Sequence, residues 1–135
     1  MGGFLSSLFG GSGGDETSYS EGPSRVQSFH SSARWQLHFN EVKESGQLLV
    51  VDFSASWCGP CKFIEPAIHA MAEKFTDVNF VKIDVDELSD VAGEFQVQAM
   101  PTFVLFKGGK IIDRVVGAKK DELEKKVEKH RALQA

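Results

Sequence analysis

Cysteine is almost absent from this chain: there are two among 135 residues, at positions 58 and 61. That excludes a disulfide-stapled scaffold. It also excludes a zinc centre built on cysteine pairs, because only four scattered histidines remain to complete one. A basic surplus is missing too: nineteen acids against fifteen bases leave a net charge of -4, with no positive field for a nucleic-acid backbone. Long apolar runs are missing as well. The longest candidate, Leu48 to Phe53, is interrupted by Asp52 and falls far short of the roughly 20 residues that span a bilayer. What is present, 41% hydrophobic and 25% charged residues, is the composition of one ordinary globular domain.

Glycine and charge are unevenly spread. Residues 1–22 hold seven glycines and five serines, and their only charges are Asp15, Glu16 and Glu21. A stretch more than half Gly and Ser cannot bury enough apolar surface to offset its backbone entropy. Residues 1–24 therefore read as a flexible extension, with a linker over 10–24, and residues 25–135 as the folded domain. The opening Met-Gly-Gly-Phe-Leu-Ser fits N-myristoylation of Gly2, with Ser6 at the hydroxyl position and Phe4, Leu5, Leu8 and Phe9 alongside. The alternative is an end that carries glycine by chance. One acyl chain holds a membrane only marginally, and the extension offers no cysteine for a second and no Lys or Arg before Arg25. Any membrane association is expected to be weak and reversible. No secretory pattern and no arginine-rich, acid-poor presequence is visible, so the expected location is cytoplasmic.

Beyond the linker the apolar period changes repeatedly. Arg25 to His30 predicts a strand, and Ser32 to Glu44 a helix capped by Ser32, with Trp35, Leu37, Phe39 and Val42 on its buried side. Gly46 ends it. Leu48 to Ser54 is apolar apart from Asp52 and predicts a central strand covered on both faces. Pro60 to Phe75 predicts an amphipathic helix on Phe63, Ile64, Ile68, Met71, Ala72 and Phe75, which Pro66 should kink or break. Asn79 to Val85 reads as a strand and Leu88 to Phe95 as a helix. Thr102 to Lys107 and Lys110 to Val116 form a hairpin around Gly108 and Gly109, and Lys119 to Ala132 a closing helix. The order β-α-β-α-β-α-β-β-α predicts an α/β fold: a central mixed sheet with helices on both faces. Functional groups in such sheets gather beyond the carboxyl ends of the parallel strands, where Ser54 to Cys61 falls.

That loop reads Trp57-Cys58-Gly59-Pro60-Cys61 and holds both cysteines. Residues three apart at a helix start lie one turn apart on the same face, near enough for a disulfide. Cys58 at the helix N-terminus would have its thiolate stabilised by unpaired N–H groups and the helix dipole, which makes it the nucleophile. Cys61, inside the first turn and more covered, fits a resolving thiol. Pro60 suits the first turn, where its missing donor would be unpaired anyway. Zinc would need two further ligands, and His69 lies eight residues beyond Cys61. A purely structural bridge would close too short a loop to constrain the unfolded chain much. Redox chemistry is the better account. Asp52 adds to it: a carboxylate buried in that apolar run should titrate above its usual range and could take the proton of Cys61. An aspartate facing solvent at a strand end is the competing reading.

Val51-Asp52-Phe53-Ser54-Ala55-Ser56-Trp57-Cys58-Gly59-Pro60-Cys61-Lys62, followed by Ala99-Met100-Pro101-Thr102-Phe103 and Val116-Gly117-Ala118, resembles the thioredoxin family, and within it the plant h-type. The resemblance covers about residues 25–132, and the Met-Gly-Gly extension is similar to that of the N-terminally extended h-type members. It implies a thioredoxin fold and a protein-disulfide reductase: Cys58 attacks a target disulfide, Cys61 resolves the mixed disulfide, and Asp52 assists the proton transfer.

The resemblance further implies a cis peptide at Pro101 beside the disulfide, where a trans proline opening an edge strand is the alternative. A substrate-binding surface would be formed by Trp57, the backbone of Met100, Pro101, Thr102, Gly117 and Ala118, although Gly117 could also be a simple strand-ending turn. Gly59, Pro60, Trp57 and Lys82 would support the active site, with Lys82 near the buried acid, although a lysine facing solvent on a strand reads nearly as well. Ser54 stands where bacterial members tend to carry Trp. The implied electron donor is an NADPH-dependent thioredoxin reductase, and the implied targets are disulfide-bearing proteins such as peroxiredoxins and metabolic enzymes. A monomer without cofactor or metal is expected. Two other functions fit the residues less well: a binding or chaperone module acting without turnover, and a disulfide oxidase or isomerase, which normally works in an oxidising compartment.

Overall fold

The computed structural model describes residues 24–131, so the Gly2 motif, most of the linker and residues 132–135 lie outside the described residues. Nine elements follow one another in that span: β1 (Val26–Phe29), α1 (Ser32–Ser45), β2 (Leu49–Ser54), α2 (Gly59–Lys74), β3 (Asn79–Asp84), α3 (Ser89–Glu94), β4 (Thr102–Lys107), β5 (Lys110–Val116) and α4 (Lys120–Arg131). Their order is the one expected from the sequence.

The strands form one sheet in the order β1-β3-β2-β4-β5. β1, β3 and β2 run parallel, β4 is antiparallel to β2, and β5 is antiparallel to β4. All six residues of β2 are buried, as the continuous apolar run predicts for a strand covered on both sides. Its side chains alternate between two cores. Val50, with Leu48 just before the strand, packs with Ile64, Ile68 and Met71 of α2 and Leu123 and Val127 of α4. Leu49, Val51 and Phe53 pack with Trp35 and Val42 of α1 and Val91 and Ala92 of α3. The β4–β5 hairpin turns on Gly108 and Gly109 at φ +60 and +82, the pair of left-handed residues that a tight hairpin of this hand needs.

Three local expectations change. Ser31, not Ser32, caps α1: it has extended backbone, and its hydroxyl accepts the Arg34 N–H at 3.3 Å. The Ser32 hydroxyl instead donates to the Asp90 carboxylate across to α3. Leu37 is exposed, because two residues along a helix from buried Trp35 is nearly the opposite side. Phe63 is 80% exposed, one position off the Ile64–Ile68–Met71 stripe that meets the sheet. Of the two outcomes expected at Pro66, a kink or a break, the break does not occur, since α2 runs from Gly59 to Lys74.

The last helix is fastened to the last strand by charge. Asp113 on β5 receives Lys126 at 3.0 Å and the His130 ring at 2.9 Å, both from α4. Burial alone would raise the Asp113 carboxyl, yet hydrogen bonds from His130, Lys126 and the Arg114 backbone N–H, with the Lys126 charge, outweigh it and hold the group at about 2. An acid depressed by folding stabilises the native state above its unfolded pKa, and that stability is lost as pH falls through the folded one. Asp113→Asn is therefore expected to lower the melting temperature at neutral pH. Thermal unfolding followed between pH 7 and pH 2 should show the deficit narrowing below about 4, where the unfolded carboxyl begins to protonate, and closing near 2.

Candidate active site

The end of β2 and the start of α2 bring the two sulfurs together. The chain leaves the sheet at Ser54, passes through Ala55 to Trp57, and enters α2 with Cys58 as its cap residue in extended backbone. The Cys58 sulfur accepts the backbone N–H of Cys61 at 3.1 Å, which supplies one of the partners that helix starts lack. Pro60 occupies the opening of the helix, where no amide hydrogen is required. Cys58 and Cys61 are joined as a disulfide with their Cα atoms 5.3 Å apart. Cys61 is covered as expected, but Cys58 is covered almost equally, at 4% exposure against 3%. The reason is packing: Ala55, Val85 and Met100 close over the pair.

The second half of the chain supplies that cover. The Met100–Pro101 peptide is cis, and the Met100 carbonyl oxygen lies 3.6 Å from the Cys58 sulfur. The Thr102 hydroxyl donates to the Ala99 carbonyl, bracing the loop, and the Gly117 N–H donates to the Pro101 carbonyl at 2.8 Å. Gly117 has φ +102, in the region that disfavours any side chain, and Ala118 beside it is half-buried against the α2–α4 core. Trp57 stands out at 66% exposure, its indole N–H held by Asp86 at 2.8 Å. Direct contacts thus link Cys58 to Cys61 and to Met100, and Pro101 to Gly117, with Trp57 next to Cys58 in the chain. Gly59 is exposed at the helix start with open space about it.

Asp52 lies beneath the disulfide's helix, 4% exposed, with its Oδ1 accepting no hydrogen bond among the described residues. Burial pushes its carboxyl up from an ordinary 3.8 to about 7, while Lys82 pulls it down and Glu65 adds to the rise. The reading of Asp52 as a solvent-facing aspartate fails. Lys82 sits directly across from Asp52 in the β2–β3 register, which puts both on the α2 side of the sheet. Its ammonium, however, is bound to Glu65 of α2.

Glu65, Asp86 and the exposed Phe63 were not foreseen. Glu65 had a signal, since it follows Cys61 by four residues and so falls one turn along the same helix face. Asp86 had none, because its contact with Trp57 depends on the β3–α3 loop meeting the β2–α2 loop.

A disulfide at a helix start therefore has a buried acid below it and a cis proline beside it. The family model described as Thioredoxin matches residues 30–129. Thioredoxin H2 of Arabidopsis thaliana is 72% identical over 134 residues, covering 98% of this chain and 100% of that protein. The chain belongs to the thioredoxin family. Thioredoxin H2-2 of Oryza sativa subsp. japonica is 55% identical, covering 94% of this chain and 93% of that one. The crystal structure of thioredoxin NaTrxh from Nicotiana alata superposes with a TM-score of 0.81 at 70% identity, covering 85% of this chain and all of that one. A further structure, from work on thiol resolution in a yeast mitochondrial 1-Cys peroxiredoxin by the glutathione and thioredoxin systems, matches with a TM-score of 0.70 at 38% identity, over 79% of this chain and 99% of that one. The likeness within the family is to plant h-type thioredoxins. The protein is a protein-disulfide oxidoreductase that reduces target disulfides through the Cys58-Gly59-Pro60-Cys61 pair, and its family membership implies disulfide-bearing targets and a reductase that recharges it.

The buried acid makes a measurable demand on stability. Between its unfolded and folded pKa, the native state holds a proton that the unfolded chain has released, so stability falls as pH rises through that window. For 3.8 moving to about 7, the expected loss is about 4 kcal/mol as an order of magnitude. Asp52→Asn removes it. Urea unfolding of the oxidised protein should show the variant gaining on the parent from about pH 4 to pH 8, and a gap that stays constant with pH would contradict a native carboxyl near 7.

Proposed function

We propose that Cys58 is the attacking thiol, Cys61 the resolving thiol and Asp52 the proton acceptor of the exchange. The Cys58 thiolate attacks one sulfur of a target disulfide, forms a mixed disulfide and expels the first target thiolate. Cys61 then gives its proton to Asp52 and attacks the Cys58 sulfur. The second target thiolate leaves, the Cys58–Cys61 bond forms, and two electrons have passed to the target. One observation carries this assignment of roles: the Cys58 sulfur accepts the Cys61 N–H at the start of α2, where helix dipole and amide donors favour a thiolate on Cys58 rather than one turn inside.

Trp57, Met100, Pro101, Thr102, Gly117 and Ala118 form the surface that receives the target. Support comes from the exposed indole next to Cys58 and from the side-chain-free Gly117, whose N–H meets the Pro101 carbonyl. Gly59, Pro60 and Lys82 support the site. The electron donor is an NADPH-dependent thioredoxin reductase, whose flavin and NADPH do the work upstream. The targets include peroxiredoxins, in keeping with the yeast peroxiredoxin work noted above, and metabolic enzymes. The protein acts as a cytoplasmic monomer, which an acyl group on Gly2 would bring weakly and reversibly to membranes.

The two thiols have separable fates. With a disulfide-bonded peroxiredoxin as target, Cys61→Ser is expected to accumulate a covalent adduct on non-reducing gels, and peptide mass spectrometry should place the link at Cys58. Cys58→Ser is expected to capture none. An adduct at Cys61, or none with either variant, would overturn the assignment.

A further inference from the structure

Two charged side chains act on the buried acid, and they are paired with each other. Lys82 is the register partner of Asp52 on the adjacent strand, the natural counter-ion for a buried carboxylate. It is nonetheless bound to Glu65, which reaches across from α2, and the two side chains are 34% and 35% exposed. Asp52 Oδ1 is left without a hydrogen-bond partner among the described residues, in a site where an ionised carboxylate would need one.

We propose that Glu65 is a positioning residue for the second half of the exchange: by holding the Lys82 ammonium it keeps that cation off Asp52, so that the acid stays available in both protonation states to trade a proton with Cys61. The inference rests on the reading of Asp52 as proton acceptor.

The charges that face Asp52 are few. β3 contributes Lys82, and α2 contributes Glu65 and, once the disulfide is open, the Cys61 thiol. β4 contributes Phe103 across the register, which carries no charge, and the neighbouring core is apolar. A lysine free to approach would stabilise the anion and leave the group ionised, a base too weak to draw a proton from a thiol. A site with no cation would hold it neutral, its basic oxygen already carrying a proton and unable to take another from the thiol. Glu65 acts in two ways with the same sign, as a like charge and as a competitor for Lys82, and its direct effect on Asp52 is to raise it while Lys82 lowers it. Glu65 follows Cys61 by one helical turn, so the element that presents the resolving thiol also sets the charge beneath it.

The test uses the full chain with Glu65→Gln, which keeps the shape of a half-buried side chain, and with Lys82→Gln. Carbonyl-detected carbon-13 NMR of the oxidised protein reads the Asp52 titration directly. Because both partners are partly exposed, the expected displacement is about one pH unit, downward for Glu65→Gln and upward for Lys82→Gln. General loosening of the site would not move the midpoint in opposite directions. Stopped-flow reaction of the reduced protein with 5,5′-dithiobis(2-nitrobenzoate) supplies the kinetic arm. Release of the first nitrothiobenzoate reports Cys58, and release of the second reports attack by Cys61. The acid limb of the second phase should move with the NMR midpoint in each variant and be lost when Asp52→Asn is added. An unmoved NMR midpoint in Glu65→Gln overturns the proposal, as does an unmoved kinetic limb in a protein whose limb Asp52→Asn abolishes. A limb that survives Asp52→Asn points elsewhere, to failure of Asp52 as the acceptor, and the proposal fails with it.

Discussion

A strand buried on both faces has no direction in which to expose a polar side chain, and β2 carries one in Asp52. Every residue from Leu49 to Ser54 is buried, so strand alternation alone decides which core receives the acid. Leu49, Val51 and Phe53 are committed to the α1–α3 side by Trp35, Val42 and Val91. Asp52 must then face α2. A slip of one residue would drive the carboxylate among Trp35 and Val91 and put a valine in its place, so the hydrophobic register of the central strand also fixes the chemistry. The same strand delivers the thiols, because the loop that follows Ser54 leads within four residues to Cys58 at the head of α2.

The antiparallel strand completes the site by the same logic. Phe103 lies opposite Asp52 and Thr102 opposite Phe53, so Pro101 falls at the level where β2 ends and the redox loop begins. The cis proline and the Met100 carbonyl are therefore brought to the Cys58 sulfur by strand register, although more than forty residues of chain separate them from it. Gly117 arrives through the next strand: Val116 pairs with Thr102, and the Gly117 N–H closes onto the Pro101 carbonyl. Three loops distant in sequence are held at one end of the strands by ordinary backbone pairing.

What could be read from the sequence was what depends on near neighbours. The apolar run around Asp52, the Gly108-Gly109 turn and the two cysteines three apart each announce their local geometry. Helix phase was legible only in part. Leu37 and Phe63 are apolar residues beside a buried stripe rather than on it, and counting apolar residues without fixing their phase against Trp35 and Ile64 assigned them to the core. Ser31 and Ser32 are chemically equal as caps, and the choice between them follows from Asp90, an acid that reaches Ser32 only in the folded chain. The Glu65–Lys82 pair shows the limit most clearly. Each half had a local clue, Glu65 by its turn from Cys61 and Lys82 by its strand, but their meeting depends on how α2 lies across β3.

That meeting bears on why so costly a group is kept. A carboxyl moved to about 7 by burial is poised, since near neutral pH it spends comparable time in both protonation states. Poise of this kind comes from opposing influences, with desolvation against ionisation and a cation in favour of it, and it is sensitive to whatever divides the cation's attention. A hydrophobic residue at position 52 would pack the α2 face of the sheet at no such expense. Its absence is intelligible if the proton of the resolving thiol needs a destination that water cannot supply, because Cys61 is only 3% exposed beneath Met100 and Ala55. The cover that keeps solvent from the disulfide thereby creates the need for an internal base, and the central strand, already committed to that face, is the element that meets it.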